Sequence, residues 1–146
     1  MQIHASCAAF GANEMAEAVL LLGPAGAGKS DLVLRLLDIG FCLVADDIVT
    51  IADGWASPPP SLAGLLEVRG LGILRRPHLP RARLVLAVEL ATGERLPAPH
   101  VHATTGLPLI AIDPAAASAP RRVALALDCL AGRASTIAGA LIGNPP

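Results

Sequence analysis

Aromatic side chains are almost missing from this chain of 146 residues: tyrosine is absent, tryptophan occurs once and phenylalanine twice. The formal net charge is only −1, and the eleven basic residues form no tail or stripe. Proteins that bind nucleic acids usually combine clustered cations with aromatic stacking surfaces, so we expect no nucleic-acid partner. A core with so few rings must be built from Ala, Leu, Val and Ile, which suits a sheet covered by helices.

Long apolar runs are also absent, since none reaches the roughly 18 residues that a membrane-spanning helix needs. The first ten residues contain no Lys or Arg, unlike the charged start of a signal peptide. Cys7, Cys42 and Cys129 are odd in number, widely spaced and set among apolar neighbours, which indicates free thiols in a reducing compartment. We therefore expect a cytoplasmic protein without membrane association.

The hydrophobic pattern predicts one α/β domain over residues 1–146. Strand-like runs at Gln2–Phe10 and Val19–Leu22 precede a helical pattern that starts near Ser30 and stops at Gly40. Another strand-like run, Phe41–Ala45, follows directly. A strand, loop, helix and strand in this order form a βαβ unit. The predicted fold class is thus a single P-loop kinase-type domain, with a central mixed or parallel sheet flanked by helices.

The rest of the chain gives weaker signals. We predict extended segments at Ile48–Ala52, Leu84–Leu90 and Leu107–Ile112, and a second helix at Ser118–Gly132. We also predict a proline loop at Pro58–Pro60, an exposed arginine-rich loop at Arg75–Arg83 and a frayed end at Gly143–Pro146.

A glycine-rich loop carries the strongest functional signal. Its residues match the phosphate-loop pattern G-x-x-x-x-G-K-[ST] in full: Gly23, Pro24, Ala25, Gly26, Ala27, Gly28, Lys29 and Ser30. Glycines let backbone N–H groups surround phosphate oxygens, and the helix that follows adds its positive end. Lys29, the only lysine of the chain, would reach the outer phosphates and Ser30 would bind Mg²⁺. The alternative is a chance turn between a strand and a helix.

Two groups of carboxylates are candidates to work with this loop. Asp46 and Asp47 end an apolar strand just after the predicted helix, where strand ends face the ligand crevice of a parallel sheet. One of the pair would hold Mg²⁺ and the other would accept a proton from an attacking hydroxyl, unless the pair is only a solvated turn. Glu67 lies two residues from Arg69 and is followed by flexible glycines, which indicates either a metal-bound phosphate site or a surface salt bridge.

These motifs resemble those of the bacterial HPr kinase/phosphorylases. The phosphate loop followed by Leu43–Asp47 resembles the loop and the V-A-D-D strand of that family at the same separation. Leu66–Ile73 resembles the family signature E-[IV]-R-G-L-G-I, and His4 and Arg95 resemble two further family positions. The likeness covers about residues 4–97 and weakens beyond them.

The resemblance implies an ATP-dependent kinase that acts on a serine of the small phosphocarrier protein HPr, in a family that also runs the reverse, phosphate-consuming reaction. It implies that Lys29 binds the β- and γ-phosphates and that Ser30 and Glu67 hold Mg²⁺, with Asp46 as a further metal candidate. Asp47 would be the base, and His4 and Arg95 would position phosphate. The family's catalytic domain forms hexamers, so we expect a homo-oligomer.

The sequence also departs from the family. We expect a short form restricted to the catalytic domain, without the additional N-terminal domain that many members carry. The Pro-Gly-Arg-type segment tied to dephosphorylation is not recognisable in Ile112–Arg122. Two other hypotheses stay open: a small-metabolite kinase that uses Arg75–Arg83 as a lid, and a non-catalytic switch whose partner affinity depends on bound nucleotide.

Overall fold

Eleven strands and two α-helices make up the part of the chain that the computed structural model describes, residues 1–143. The expected frayed end lies mostly in residues 144–146, outside the described residues. A short 3-10 turn, Pro60–Leu62, precedes β7. The elements are β1 (Gln2–His4), β2 (Ser6–Phe10), β3 (Glu17–Leu22), α1 (Lys29–Leu37), β4 (Phe41–Ala45), β5 (Ile48–Ala52), β6 (Trp55–Ser57), β7 (Leu65–Val68), β8 (Gly72–Arg75), β9 (Ala82–Leu90), β10 (His100–Val101), β11 (Pro108–Ile112) and α2 (Ala119–Leu130).

Nine of these strands form one mixed sheet in the order β1-β5-β6-β9-β3-β2-β4, with β11 beside the end of β9 and β10 beside β11. The pairs β3–β9 and β9–β11 are parallel. Strand β2 lies antiparallel between β3 and β4, so β3 and β4 run in the same direction without being neighbours. The carboxyl ends of β3, β4, β9 and β11 therefore meet at one edge of the sheet, which we call the loop edge. We call the opposite edge, where β3 and β9 begin, the distal edge.

Both helices pack on the same face of the sheet. Buried side chains of α1 (Leu32, Val33, Leu36) and α2 (Val123, Leu127) form one core cluster with the strands beneath them. On the other face, a second cluster joins Leu20 and Val44 to Val49 and Ala56 of β5 and β6. The sheet curls so that its own strands cover the face that has no helix. The small side chains of this second cluster suit such a close approach of strand to strand.

The predicted fold class is confirmed, and most predicted elements are present. The helix after the phosphate loop starts at Lys29, one residue before the predicted Ser30. Asp53 and Gly54 join β5 to β6, and both residues have a positive φ (52° and 81°), as a two-residue hairpin turn requires. No helix within residues 1–143 combines the length and the apolar character needed to cross a membrane.

Three local expectations were incomplete. The predicted opening strand divides at Ala5, because Gln2–His4 pairs with β5 whereas Ser6–Phe10 pairs with β3 and β4. The glycine-containing segment after Glu67 is a hairpin, since β7 pairs with β8 in a separate two-stranded sheet. The Arg75–Arg83 loop is shorter than expected, and its Leu79 N–H donates to the Leu43 carbonyl at 2.9 Å, which ties the loop to the edge of β4.

Candidate active site at the phosphate loop

The phosphate loop connects β3 to α1 at the loop edge. Gly26 (φ 83°) and Gly28 (φ 102°) adopt left-handed backbone conformations that favour glycine. A Cβ at Gly23 would lie 2.9 Å from the Ala27 Cβ, so any larger residue would collide with the loop itself. Gly28 is the N-cap of α1 and no side chain caps this end, so the helix presents its free N–H groups toward the loop.

Lys29 is folded back over its own loop. Its Nζ donates to the carbonyl oxygens of Gly23 at 2.6 Å and Pro24 at 3.0 Å. Within residues 1–143 the ammonium has no carboxylate partner. Carbonyl groups are weaker partners for a cation than anionic oxygens are. The ammonium therefore lies over the loop on weak partners that an anionic partner could replace.

Asp46 is buried beneath the loop, with 6% of its surface exposed, and accepts hydrogen bonds from three residues. Its Oδ1 accepts hydrogen bonds from the hydroxyls of Ser6 at 2.7 Å and Ser30 at 2.8 Å. Its Oδ2 accepts from the Ser30 hydroxyl at 3.0 Å and from the Glu67 backbone N–H at 3.1 Å. Asp46 therefore ties β2, the phosphate loop and the β7–β8 hairpin together. Asp46 contacts Ser30 at the cleft, and its assignment as a metal ligand stays a prediction.

Asp47 faces the other way and is exposed. Its backbone has a φ of 70°, and the Ile48 N–H donates across it to the Asp46 carbonyl at 2.8 Å, which makes a γ-turn. This conformation is strained for a residue with a side chain, although aspartate tolerates it better than most. The sharp bend explains how two adjacent carboxylates come to serve two different places, one under the loop and one in the cleft.

A cleft of about 470 Å³ brings the predicted residues together. Its lining includes Lys29, Ser30, Asp47 and Glu67, and also Ser6 and Arg69. Glu67 is exposed on β7, the first strand of the hairpin, and its side chain has no ion pair within the described part of the chain. The expectation that acidic side chains from neighbouring strands approach the phosphate loop therefore agrees with the geometry.

His4 and Arg95 are not among the residues that line this cleft. His4 is exposed on β1, where it pairs with Ile48, one residue beyond Asp47. Arg95 is exposed in the loop between β9 and β10, next to a separate cavity of about 510 Å³ lined by Thr92, Gly93 and Glu94 among others. Their assigned roles stay predictions that the geometry of the cleft does not support.

The donor set of the cleft fits Mg²⁺. A hydroxyl and two exposed carboxylates surround the loop, and the buried charge of Asp46 is balanced only by neutral donors among residues 1–143. A buried carboxylate without an ion-pair partner is costly, so a cation beside Ser30 would be favoured. No group of three His, Cys, Asp or Glu side chains in the described chain forms a complete metal cage. Mg²⁺ needs none, since it usually combines one or two protein ligands with phosphates and waters.

Several other side chains with functional potential have partners elsewhere in the fold. Trp55 lies at the distal edge, with the guanidinium groups of Arg81 and Arg83 at 4.1 and 4.3 Å from its ring centre, so it does not cover a nucleotide at the loop edge. Arg81 and Arg83 of the hypothetical lid therefore contact Trp55 at the distal edge. His102 bonds to Thr105 at 2.7 Å. Burial raises the pKa of the Cys7 thiol, which makes it an inert core residue.

Sequence reasoning missed Ser6. The residue is fully buried, yet it lines the floor of the cleft and contacts both aspartates. No local signal identifies it, because an isolated serine in an apolar strand carries no motif. Only the pairing of β2 between β3 and β4 brings it beside Asp46.

The fold and the cleft define a domain of P-loop architecture: a glycine loop between a strand and a helix, faced by carboxylates from neighbouring strands. Residues 12–79 match the model of the HPr Serine kinase C-terminal domain. The resemblance predicted from the sequence is thereby confirmed for this segment, which is similar to that domain.

Curated HPr kinase/phosphorylases are similar over the same region. The protein from Bordetella petrii is 51% identical over 61 residues, which are 38% of this chain and 20% of that protein. The protein from Neisseria meningitidis is 44% identical over 90 residues, which are 52% of this chain and 28% of that protein. The matches thus span between a fifth and about a quarter of the length of these relatives.

The fold extends the likeness to the rest of the chain. The structure of the HPr(Ser) kinase/phosphatase from Coxiella burnetii superimposes with a TM-score of 0.67 and covers 91% of this chain and 96% of that chain. At 23% sequence identity, this match shows the shared fold.

Proposed function

We propose that this chain is an ATP- and Mg²⁺-dependent kinase that phosphorylates a serine of an HPr-like phosphocarrier protein. The observation that carries the proposal is that Asp47 and Glu67 line the same cleft as Lys29 and Ser30. A phosphate-holding loop and a carboxylate that accepts a proton are the two parts that phosphoryl transfer to a hydroxyl needs. The names of the matched relatives supply the substrate class.

Binding starts at the phosphate loop. The backbone N–H groups of the loop, which every residue from 23 to 30 except Pro24 carries, would surround the β-phosphate together with the start of α1. Lys29 would leave the carbonyls of Gly23 and Pro24 for phosphate oxygens. Ser30 and Glu67 would hold Mg²⁺, and Asp46 would keep the Ser30 hydroxyl oriented by accepting its proton in a hydrogen bond. The metal would supply charge neutralisation on the β- and γ-phosphates.

Transfer then requires a serine hydroxyl in line with the γ-phosphorus. The serine oxygen forms a bond to phosphorus while the bond to the bridging oxygen of ADP breaks, and the Asp47 carboxylate takes the hydroxyl proton. Most of the rate enhancement comes from positioning and from charge stabilisation by Lys29. His4 and Arg95 are proposed to join the site once the protein substrate has bound.

The reverse reaction would use the same groups. An oxygen of inorganic phosphate would form a bond to the phosphoserine phosphorus while the bond from phosphorus to the serine oxygen breaks, which gives pyrophosphate. Asp47 would take the proton of the attacking phosphate and give it to the serine oxygen. The names of the curated relatives favour this activity. The segment after β11 lacks the expected motif, although its Pro114 lies beside the phosphate loop and its carbonyl accepts a hydrogen bond from Arg35 at 2.7 Å. Phosphorolysis is therefore the second activity to assay.

The cleft and its surroundings favour the proposed protein kinase over the two alternative hypotheses. A nucleotide switch does not need Asp47 and Glu67 at the phosphate loop. The arginine lid of a metabolite kinase would use Arg75–Arg83, and two arginines of this segment, Arg81 and Arg83, are stacked on Trp55 at the distal edge.

The proposal is tested with purified protein, purified HPr, Mg²⁺ and ATP labelled in the γ-phosphate. We expect label on a serine of HPr, loss of labelling when Mg²⁺ is chelated, and release of pyrophosphate when excess phosphate is added to phosphoserine-HPr. A parallel reaction with a panel of small hydroxyl metabolites tests the alternative. Labelling of a metabolite but not of HPr would contradict the proposed substrate.

Location and assembly complete the proposal. The three cysteines are all free, which suits the cytoplasm. The β7–β8 hairpin exposes Leu71 (75%) and Ile73 (70%), an apolar surface compatible with the proposed hexamer. Light scattering of the purified protein measures the assembly directly.

A further inference from the structure

Ser6 differs from every other residue that lines the cleft because its side chain has no exposed surface. Its hydroxyl donates to Asp46 Oδ1 at 2.7 Å, the same oxygen that accepts from Ser30 at 2.8 Å. The two hydroxyls hold the carboxylate from different elements, one from strand β2 and one from the start of helix α1. Asp46 is thus fixed on both sides.

Ser6 also contacts the second aspartate. The Asp47 backbone N–H donates to the Ser6 hydroxyl oxygen at 3.4 Å, and the Asp47 carbonyl accepts from the neighbouring Ala5 N–H at 3.2 Å. These bonds hold the γ-turn, whose strained backbone needs support from its surroundings. One hydroxyl therefore connects the side chain of Asp46 to the bend that turns Asp47 into the cleft.

Asp46 depends on such donors because it is a buried charge. Within residues 1–143 its partners are two hydroxyls and one backbone N–H, and no basic side chain forms an ion pair with it. Removing a donor leaves a buried carboxylate less well compensated, and the carboxylate then shifts toward its remaining partners or toward water. The Ser30 hydroxyl, which donates to the same Asp46 oxygen as the Ser6 hydroxyl, would then lose its fixed orientation.

We propose that Ser6 is a positioning residue for the Mg²⁺–nucleotide site: it holds Asp46, and through Asp46 the metal-binding hydroxyl of Ser30, while it supports the turn that presents Asp47. The proposal rests on the proposed function only in requiring Mg²⁺ and a nucleotide at the phosphate loop. It does not depend on the identity of the phosphoryl acceptor.

The test measures the affinity of a fluorescent ATP analogue in Mg²⁺ and in EDTA. In Ser6→Ala we expect binding in Mg²⁺ to weaken about tenfold, as is typical when a group that supports a metal ligand is removed. Binding in EDTA should stay close to that of the unaltered protein, since the loop and Lys29 are intact. Ser6→Cys keeps the shape of the side chain but offers only a weak hydrogen-bond donor. Its affinity in Mg²⁺ should lie between those of Ser6→Ala and the unaltered protein.

Ser118→Ala is the matched control, because Ser118 caps α2 without a side-chain hydrogen bond. It should leave both affinities unchanged. Equal affinities of Ser6→Ala and the unaltered protein in Mg²⁺ would overturn the proposal, and so would equal losses in Mg²⁺ and EDTA, which indicate general damage to the fold. If Ser6→Ala does not fold, the same comparison is made with Ser6→Cys.

Failure of the proposed function gives a different pattern. An unaltered protein that binds the analogue more tightly with Mg²⁺ but transfers no phosphate to HPr contradicts the function and leaves the role of Ser6 testable by binding. An unaltered protein whose binding does not respond to Mg²⁺ contradicts both.

Discussion

Charged side chains at the two edges of the sheet are paired in different ways. At the distal edge, Arg133 donates to Glu17 at 2.6 and 3.0 Å and to Asp128 at 2.8 Å, and these bonds raise the pKa of its guanidinium. Arg81 at the same edge donates to Glu14 at 2.8 Å. At the loop edge, the charges of Lys29, Asp47 and Glu67 form no ion pair within residues 1–143.

This difference separates charges that serve the fold from charges that serve a ligand. In an exposed ion pair such as Arg81 and Glu14, each charge already has its partner within the chain. Lys29 rests on carbonyl oxygens, and Asp47 is held by a strained turn, so both are prepared for partners that the chain does not supply. Substitutions at the loop edge should therefore change activity, whereas those at the distal edge should change only stability.

The largest effect is expected for Asp47→Asn. The amide keeps the shape of the side chain but cannot accept the serine proton, so we expect the rate of transfer to HPr to fall by about 10²- to 10⁴-fold. Nucleotide affinity should change little, because the loop and Lys29 are untouched. Single-turnover labelling of HPr measures the rate. Asp38→Asn, at the exposed end of α1, is the control. A variant that transfers at the native rate would disprove the role of Asp47.

Lys29→Met comes next. The substitution removes the only ammonium of a side chain at the loop, and hydrogen bonds from charged groups contribute about 1.5–3 kcal/mol each, so we expect nucleotide binding to weaken roughly tenfold to a hundredfold. Titration with a fluorescent ATP analogue measures the change. Arg121→Met on the exposed side of α2 removes a positive charge elsewhere and should bind normally. Equal affinities of Lys29→Met and Arg121→Met for the ATP analogue would mean that Lys29 does not bind the nucleotide.

Glu67→Gln tests the metal side of the cleft. We expect the Mg²⁺ concentration for half-maximal activity to rise at least about tenfold, since even outer partners of metal ligands contribute that much. Activity at saturating Mg²⁺ should recover in large part, which separates a metal role from a role in proton transfer. Glu94→Gln, beside the other cavity, should show the native Mg²⁺ response. An unchanged response of Glu67→Gln would favour the simpler alternative of a surface carboxylate.

The parts of this site that could be predicted from sequence are those encoded by local patterns. The phosphate loop follows from a complete motif, and Asp46 and Asp47 follow from their place at the end of an apolar run. Side-chain alternation along a strand also indicates that two adjacent aspartates point to different places. The local patterns also give α1, α2 and the turn at Asp53-Gly54, because caps, periodicity and turn residues lie within a few positions of each other.

The rest depends on contacts between distant residues. The insertion of β2 between β3 and β4 brings Ser6 to Asp46 across 40 positions of sequence, and nothing near Ser6 indicates it. Strand β8 is exposed along its whole length, so it lacks the alternation that identifies a half-buried strand. The position of Trp55 was equally hidden, since its partners Arg81 and Arg83 come from another strand and the loop before it.

The smallest effect is expected at the distal edge, for Arg133→Ala. The side chain of Arg133 is 44% exposed, so its bonds to Glu17 and Asp128 are screened by water. Exposed pairs contribute about 0.2–1 kcal/mol each, and we expect the free energy of unfolding to fall by roughly 1 kcal/mol, with a melting temperature lower by about 2–4 °C. The loss should shrink in high salt. Transfer to HPr and nucleotide affinity should stay native at 25 °C. A loss of activity as large as that of Glu67→Gln would mean that the two edges of the sheet are energetically coupled. Charges that stabilise the fold could then no longer be distinguished from charges that bind a ligand.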